Sequence, residues 1–419
     1  NLIICSFNEG IYPQKNNANS FIPYHLRKGF QLPTFEHQDA VASYNFYRLI
    51  HHAKNIIMLT DSRTDTGSSG EVSRFYYQLH YYHGVDIHLK TPVYDMALNN
   101  EHTITIHKNE DILAKLNLFK QGGSENFRTL SASSLNSYIN CPLQFYFNYI
   151  ENIKEEDEIS ETIEYDMFGN LFHAVMDDLY KPFSGKLILE EIPVRIIKDP
   201  LLIDQTIIKA FNKLFFKSES TQKHELEGNN LLIAKILRKY IIRVLEIDKA
   251  YAPFTMLHTE EKKYAVLNTA FGNIQFKGII DRVDEKEGKI RIIDYKTGSG
   301  SLEFNNWDSI FESGNNKRPK HILQTFFYGF LYENESKGRK IVPGLFYIKN
   351  AFKNNFSTEI VFKEDGSKNE IDDYFEHSET FKSKLTELTE QIFHPDLPFT
   401  QTDNHDICKY CTYAVICKR

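Results

Sequence analysis

The spacing of the apolar residues changes near residue 272, and this change limits the possible folds more than any other feature of the sequence. Residues 203–216 and 229–250 carry apolar side chains at the three-to-four-residue spacing of a helix. After residue 272 apolar and polar side chains alternate, which predicts a strand with one buried face. A turn at residues 285–288 and a second apolar segment at 290–296 complete a predicted β-hairpin. Helices next to paired strands predict an α/β fold.

The chain is long enough for more than one domain. A length of 419 residues predicts two or three domains. Apolar residues make up 41% and charged residues 25% of the chain, which excludes a disordered protein. Strand and helix signals alternate in the first part and then weaken towards a predicted linker at residues 121–124. We therefore expect one domain at residues 1–125 and a second at residues 126–419.

The net charge of −7 does not exclude a nucleic-acid partner. Residues 151–166 contain eight acidic side chains and one lysine, so this segment alone accounts for the negative sum. No apolar segment approaches the roughly 18 residues that a membrane span requires, and the N-terminus does not resemble a signal peptide. These features predict a cytoplasmic protein. Because the sequence starts without Met, on a predicted strand, we expect it to be part of a longer chain.

Two aspartates at the ends of the predicted hairpin strands are candidate metal ligands. Asp294 and Lys296 project from the same face of their strand, but Asp284 and Lys286 have the same spacing, so the pattern alone means little. Asp294 differs because apolar neighbours bury it. Buried carboxylates of Asp281 and Asp294 would be stable if they shared a cation, and Mg²⁺ or Mn²⁺ suits such oxygen ligands. A bound cation would activate water, with Lys296 orienting that water or neutralising charge.

The cysteines are few and unevenly placed. Cys408, Cys411 and Cys417 form a C-x2-C-x5-C pattern close to the C-terminus. Disulfides are not expected in the cytoplasm, whereas this spacing lets thiolates converge on a metal ion or a cluster. A zinc site and ordinary buried thiols are the alternatives.

Four motifs in order resemble the RecB-type nucleases of the PD-(D/E)XK superfamily. They are Gly169-x-x-x-His173, Gly278-Ile279-Ile280-Asp281, Asp294-Tyr295-Lys296 and Gln324-x-x-x-Tyr328. The resemblance implies a restriction-endonuclease-like core, with a central mixed sheet flanked by helices. It further implies that His173, Asp281 and Asp294 bind Mg²⁺ or Mn²⁺ and that Lys296 assists the nucleophilic water. Gln324 and Tyr328 would then line the substrate side.

The flanking regions resemble a particular branch of this family. Cys141, followed by Pro142, and the C-terminal cysteines resemble AddB-type nuclease domains, in which Cys141, Cys408, Cys411 and Cys417 would hold a [4Fe–4S] cluster. Residues 2–13, 44–59 and 73–75 are similar to the last RecA-like domain of UvrD-like helicases. His51-His52 stands where active motors carry an arginine before the Ala-Lys pair, and the sequence contains no phosphate-binding Gly-x-x-x-x-Gly-Lys loop. We therefore expect no ATP hydrolysis.

Taken together, the resemblance implies a metal-dependent, exonuclease-like DNA nuclease domain of an AddB-like helicase-nuclease subunit. Its expected role is the processing of DNA double-strand-break ends in recombinational repair, together with an AddA-like partner. The alternative is a non-catalytic protein that binds DNA ends or serves as a scaffold, and an RNA substrate is a third option.

Some residues have weaker signals. Lys317, Arg318 and Lys320 are candidate phosphate contacts, although they are equally explained as solvated side chains. Glu260 or Glu261 is a candidate further acid near the hairpin, and the sequence does not choose between them.

Overall fold

The computed structural model describes residues 1–14, 22–60, 70–90, 103–122, 127–154, 163, 165–217, 226–315, 317–364 and 367–419. The chain forms two compact units, Asn1–Asn99 and Asn100–Arg419. The division therefore falls earlier than the expected boundary at residue 125, which lies outside the described residues together with Gly123 and Ser124 of the expected linker. The reason is a strand pair in which Phe399 lies opposite Ile106, so that residues shortly after 100 join the second unit.

The first unit contains a small parallel sheet and a cluster of aromatic side chains. Its elements are β1 (Leu2–Ile4), α1 (Tyr24–Gly29), α2 (Phe35–His51), β2 (Ile56–Met58) and α3 (Arg74–Tyr77), which a π-helical turn (Gln78–Tyr82) extends. Strands β1 and β2 pair in parallel. Phe46 of α2 stacks on Phe75 of α3 with ring centroids 4.4 Å apart, and both rings are buried. The predicted order of strand, helix and strand is confirmed.

The second unit begins with short elements and then a layer of helices. These elements are β3 (Thr105–Ile106), α4 (Glu110–Asn117), α5 (Ala132–Asn140), α6 (Pro142–Phe145), α7 (Tyr165–Tyr180), β4 (Lys186–Ile188), α8 (Glu191–Ile197), α9 (Pro200–Leu214) and α10 (Gly228–Tyr251). The side chain of Asp199 accepts a hydrogen bond from the backbone of Leu202, and this N-cap starts α9 just before Pro200.

The central sheet has the order β4, β5, β6, β7, β9. Its main strands are β5 (Phe254–Thr269), β6 (Gly272–Lys286), β7 (Lys289–Lys296) and, after β8 (Glu303–Phe304), α11 (Trp307–Phe311) and α12 (Lys320–Tyr332), β9 (Ile341–Tyr347). Neighbouring strands are antiparallel except β7 and β9, which are parallel. The predicted hairpin is β6–β7, and its turn residues Glu287 and Gly288 have φ of 54° and 77°, as a tight hairpin turn requires. The expected central mixed sheet is thereby confirmed.

Helices cover both faces of this sheet. Ile293 and Tyr295 of β7 pack in one core with α7, α9 and α10, whereas Ile290 and Ile292 pack in the other core with α5 and α12. The alternation of β7 thus places Asp294 on the face covered by α12. The chain ends with β10 (Val361–Glu364), β11 (Ser367–Glu370), α13 (Ser378–Phe393), β12 (Phe399–Thr400) and α14 (His405–Cys408). Among the described residues, no helix combines the length and the apolar character of a membrane span.

Candidate active site

One helix and two strands bring together three side chains that could hold a metal ion. His173 projects from α7, Glu260 from β5 and Asp281 from β6. The Nδ1 atom of His173 lies 3.2 Å from Oε1 of Glu260 and 3.4 Å from Oδ2 of Asp281. One ligand atom from each of the three residues lies within 4.8 Å of the others. One imidazole and two carboxylates suit a divalent cation such as Mg²⁺ or Mn²⁺.

The pairing of β5 with β6 shows that Glu260, and not Glu261, is the further acid beside Asp281. Thr259 pairs with Arg282 and Glu261 with Ile280, so the register places Glu260 opposite Asp281. Glu260 has a φ of 47°, in the left-handed region that costs a residue with a side chain about 1–2 kcal/mol. Two carboxylates opposite each other also repel. Strain and repulsion at one position suggest a functional constraint, because a cation between the carboxylates would offset both.

The neighbouring strand β6 is irregular at the same place. Ile280 and Val283 belong to the same core although they are three residues apart, so the two-residue alternation breaks between them. Because the alternation of β6 breaks here, Asp281 reaches both α7 and the end of β7.

Glu261 of β5, by contrast with Glu260, contacts His258 at 2.8 Å and Lys263 at 3.0 Å.

Asp294 and Lys296 form a close pair beside this group. The Nζ atom of Lys296 lies 2.7 Å from Oδ1 and 2.6 Å from Oδ2 of Asp294, whose side chain is fully buried. The backbone N–H of Tyr295, between these two residues, donates a 2.7 Å hydrogen bond to Oδ2 of Asp281. Within the described part of the chain, Asp294 is not a member of the three-residue group. The structure thus joins His173 and Asp281 with Glu260, and places Asp294 next to them, bound to Lys296.

The pKa shifts show that negative charge is crowded here. Burial raises the pKa of Asp294 to about 6, and the nearby Asp281 carboxylate adds to this against the Lys296 ammonium. Burial also raises the pKa of Asp281. Burial opposes the charged form of His173, but the carboxylates of Asp281 and Glu260 outweigh it and raise the pKa of His173 to about 9. A divalent cation would favour the ionised carboxylates.

Gln324 and Tyr328 lie on α12, one turn apart. Nε2 of Gln324 donates a 2.6 Å hydrogen bond to the hydroxyl of Tyr328. Burial, followed by the charges of Asp294 and Asp281, raises the pKa of the Tyr328 hydroxyl. The helix can approach this closely because Gly278 has no side chain: a Cβ there would lie 2.6 Å from Leu331 and 3.1 Å from the Tyr328 ring.

The three candidate phosphate contacts at the start of α12 do not share one environment. Lys317 and Lys320 are exposed. Arg318 is only 6% exposed, and its guanidinium donates to the carbonyl oxygens of Ile310 and Asn136 at 3.2 and 3.1 Å. Burial lowers the pKa of Arg318 to about 10. Its expected role as a surface phosphate contact does not match this placement, because its hydrogen-bonding groups hold the loop to helix α5.

The four predicted cysteine ligands line one small cavity. Cys141 stands at the end of α5, Cys408 ends α14, and Cys411 and Cys417 follow. Burial raises the pKa of the Cys408 and Cys411 thiols, and the neighbouring thiols add to this. Elsewhere than at His173, the described residues contain no group of three metal-ligand atoms within 4.8 Å, so these sulfurs are spaced more widely. Four thiolates at 2.3 Å from a zinc ion would be only about 3.8 Å apart.

Comparisons with known proteins agree with the four motifs. A sequence profile of the PD-(D/E)XK nuclease superfamily matches residues 129–418. An uncharacterised protein of Rickettsia typhi is 24% identical, covering 71% of this chain and 33% of that protein. An ATP-dependent helicase/deoxyribonuclease subunit of Carboxydothermus hydrogenoformans is 28% identical, covering 53% of this chain and 20% of that protein. The protein of the same name in Clostridioides difficile is 26% identical, with 62% and 22% covered.

The chain thus spans between a fifth and a third of the length of these relatives. The profile match covers more than two thirds of the chain and contains all four motifs as well as the four cysteines of the cavity. The chain therefore belongs to the PD-(D/E)XK nuclease superfamily.

Proposed function

We propose that the second unit is a divalent-metal-dependent, exonuclease-like deoxyribonuclease. The observation that carries this proposal is the meeting of His173, Glu260 and Asp281, with ligand atoms within 4.8 Å, beside the buried pair of Asp294 and Lys296. Superfamily membership supplies the reaction class, and the donor set fits Mg²⁺ or Mn²⁺.

Each residue has a distinct proposed role. His173, Glu260 and Asp281 would hold the cation, and Asp294 would be a further ligand while it remains paired with Lys296. The bound cation would lower the pKa of a water molecule and screen the charge that develops on the phosphate. Lys296, which Asp294 keeps in place, orients the attacking water or neutralises the transition state. Gln324 and Tyr328, which are joined by a hydrogen bond on α12, would line the substrate side of the site.

The test compares two lysines in the same local sequence pattern. Lys296→Ala should lower the rate of Mg²⁺-dependent cleavage of end-labelled DNA at least about 100-fold. Lys286→Ala is the matched control, because Lys286 follows Asp284 with the same spacing but donates to the carbonyl oxygen of Tyr251. Asp294→Asn should abolish cleavage while the melting curve stays cooperative. Cleavage at the normal rate by both Lys296→Ala and Asp294→Asn would refute the assignment.

Absence of DNA cleavage by the parent protein would support the alternative, non-catalytic function. If the protein binds DNA but cleaves neither single nor double strands with Mg²⁺ or Mn²⁺, the function is non-catalytic binding of DNA ends or scaffolding.

We further propose that Cys141, Cys408, Cys411 and Cys417 hold a [4Fe–4S] cluster. The shared cavity and the wide spacing of the sulfurs support a group larger than one zinc ion. The cluster would tie the end of α5 to the C-terminus and so close a long loop, which stabilises the folded state. Anaerobically prepared protein should be brown, and Cys411→Ser should remove the visible absorption, whereas Cys5→Ser, at an exposed cysteine, should not. A colourless protein with one equivalent of zinc would contradict the cluster.

The cellular role that we propose is that of an AddB-like protein, which acts with an AddA-like helicase-nuclease in the processing of DNA double-strand-break ends for recombinational repair. Support comes from the two relatives that are helicase/deoxyribonuclease subunits, and from the likeness of residues 2–13 and 44–59 to a helicase domain. Two observations would test this role: co-purification with a helicase, and ATP-dependent degradation of linear duplex DNA by the complex but not by the isolated protein.

A further inference from the structure

A shallow basic groove runs along α10, outside the candidate active site. Its volume is about 650 Å³, and it is lined by Lys235, Arg238, Lys239, Ile242, Arg243, Glu246 and Phe352. The four cations are spaced by three, one and four residues on α10, so they share one face of the helix. Two of the four cations are paired with acids, Arg243 with Glu246 at 3.0 Å and Arg238 with Asp204, so the net positive charge of the groove rests on Lys235 and Lys239, although the chain as a whole carries a net charge of −7.

The groove has a fixed wall and an accessible surface. Nε of Arg243 donates a 2.6 Å hydrogen bond to the carbonyl oxygen of Ala351, which attaches the turn after β9 to α10. Arg238 lies 3.5 Å from Asp204 on α9. Lys235 and Lys239 are exposed, and Nζ of Lys239 lies 5.5 Å from the centroid of the Phe352 ring. Phe352 is 42% exposed and also contacts the Tyr240 ring at 5.6 Å, so part of an aromatic ring is accessible to solvent beside Lys239.

The groove lies close to the candidate active-site residues Lys296 and His173. The turn Ile348–Phe352 directly follows β9, whose last residue, Tyr347, pairs with Lys296. Five residues of such a tight turn span about 10 Å. A second connection runs through Tyr240, whose ring centroid lies 5.6 Å from Phe352 and 5.8 Å from Phe168. Phe168 is five residues from His173 on α7, which is about 7.5 Å along the helix.

We propose that this groove binds single-stranded DNA on its way to or from the active site, with the phosphates on Lys235 and Lys239 and a base stacked on Phe352. The inference rests on the proposed nuclease function and extends it to the form of the substrate. Cations beside an exposed aromatic ring are the usual combination in proteins that bind single strands, since a duplex hides the faces of its bases. The separation from His173 and Lys296 corresponds to a few nucleotides, so one strand could occupy both places.

The experiment measures DNA binding without cleavage, in the full chain. Fluorescence anisotropy of a labelled single-stranded oligonucleotide is followed in EDTA across a series of salt concentrations. Lys235→Gln/Lys239→Gln should weaken binding and reduce the slope of log affinity against log salt by about 1.4. Phe352→Ala should weaken binding roughly tenfold, and Phe352→Tyr should restore most of the affinity because the ring is kept.

The matched control changes two exposed lysines that do not line the groove. Lys198→Gln/Lys213→Gln removes the same charge from neighbouring helices and should leave the salt slope unchanged. An equal loss in the control would mean that only net charge matters and would overturn the proposal. Normal binding by the groove variants would also overturn it, and if the variants then lost a co-purifying protein, the groove would be a protein interface. An effect of the lysines without any effect of Phe352 would favour duplex DNA and reject the single-strand assignment.

These measurements separate the two proposals. If the parent protein cleaves no DNA but its salt slope depends on Lys235 and Lys239, the groove stands and the nuclease function fails. If Lys296→Ala abolishes cleavage while the groove variants bind normally, the nuclease function stands and the groove fails.

Discussion

Two clusters of charged side chains lie on strands β6 and β7, one almost fully buried and one partly exposed, and they differ in their balance of charge. In the first, Arg282 lies between two aspartates: NH1 is 2.8 Å from Asp248, and Nε is 2.7 Å from Asp284. Arg291 contacts Asp284 at 2.9 Å, so two arginines balance two aspartates. In the second, the carboxylates of Glu260, Asp281 and Asp294 are accompanied by one lysine and one histidine.

The difference appears in the pKa of otherwise similar aspartates. Burial opposes ionisation of both Asp284 and Asp294. At Asp284 the guanidinium groups of Arg291 and Arg282 outweigh burial and lower the pKa. At Asp294 burial prevails over Lys296, and the pKa rises to about 6. In the first cluster the arginines balance the aspartates within the protein, whereas the second keeps an excess of carboxylates that a bound cation would balance. This contrast separates a structural ion network from a candidate active site more clearly than residue type does.

Removal of Arg282 should have the largest effect on stability. Arg282→Met leaves Asp248 and Asp284 without their shared partner in the interior, which should cost about 3–5 kcal/mol of unfolding free energy. Thermal unfolding of the metal-free protein measures this loss. Arg339→Ala is the matched control, because it breaks a partly exposed pair with Glu285 and should cost about 1 kcal/mol or less. Equal losses in the two variants would show that the buried Arg282 network contributes no more to the unfolding free energy than a partly exposed ion pair does.

The pH dependence of stability should differ in sign between the clusters. The pKa of Asp294 is raised from 3.8 to about 6 on folding, so its contribution is fully present below pH 3.8 and is lost as the pH rises through 6. The loss is about 3 kcal/mol in the metal-free protein. Asp284, whose pKa is lowered, contributes stability above pH 3.8 that is lost as the pH falls through its folded-state pKa.

The measurement is a series of melting curves in EDTA between pH 4 and pH 7. Asp294→Asn should reduce the decline of stability between pH 4 and pH 6, with the raised pKa of Asp281 leaving a remainder, and Mg²⁺ should reverse the decline in the parent protein. A parent protein whose stability rises steadily across this range in EDTA would contradict the contrast between the two aspartates.

The elements that carry the site could be predicted from the sequence because their apolar patterns are local. Residues 168–179 have helical spacing, and the structure has α7 at Tyr165–Tyr180. The alternation in β6 and the turn at Glu287 and Gly288 predicted the hairpin that carries Asp281 and Asp294. The resemblance then indicated His173, upstream of the hairpin, as a further metal ligand. These predictions needed only neighbouring residues or a family pattern.

Other features depend on partners that are far away in the sequence. The domain boundary is set by a two-residue strand pair between residues 105–106 and 399–400, which has no recognisable apolar pattern. Arg318 is buried because the carbonyl oxygen of Asn136, in a distant helix, accepts its hydrogen bond. The choice of Glu260 over Glu261 follows from a positive φ and an interrupted alternation in the partner strand, neither of which the sequence shows.

Substitution of Glu260 should have the smallest effect on the unfolding free energy. The result tests whether Glu260 belongs to the candidate metal site or to the structural network of Arg282. Its side chain is 30% exposed and pairs with a partly exposed histidine, so Glu260→Gln should change the unfolding free energy by about 1 kcal/mol or less. The affinity for Mn²⁺, measured by isothermal titration, should nevertheless fall at least about tenfold, because a charged ligand is lost. Glu261→Gln is the isosteric control and should leave Mn²⁺ binding unchanged, since Glu261 contacts His258 and Lys263 instead. A destabilisation as large as that of Arg282→Met, with normal Mn²⁺ binding, would assign Glu260 to the structural cluster and remove it from the metal site.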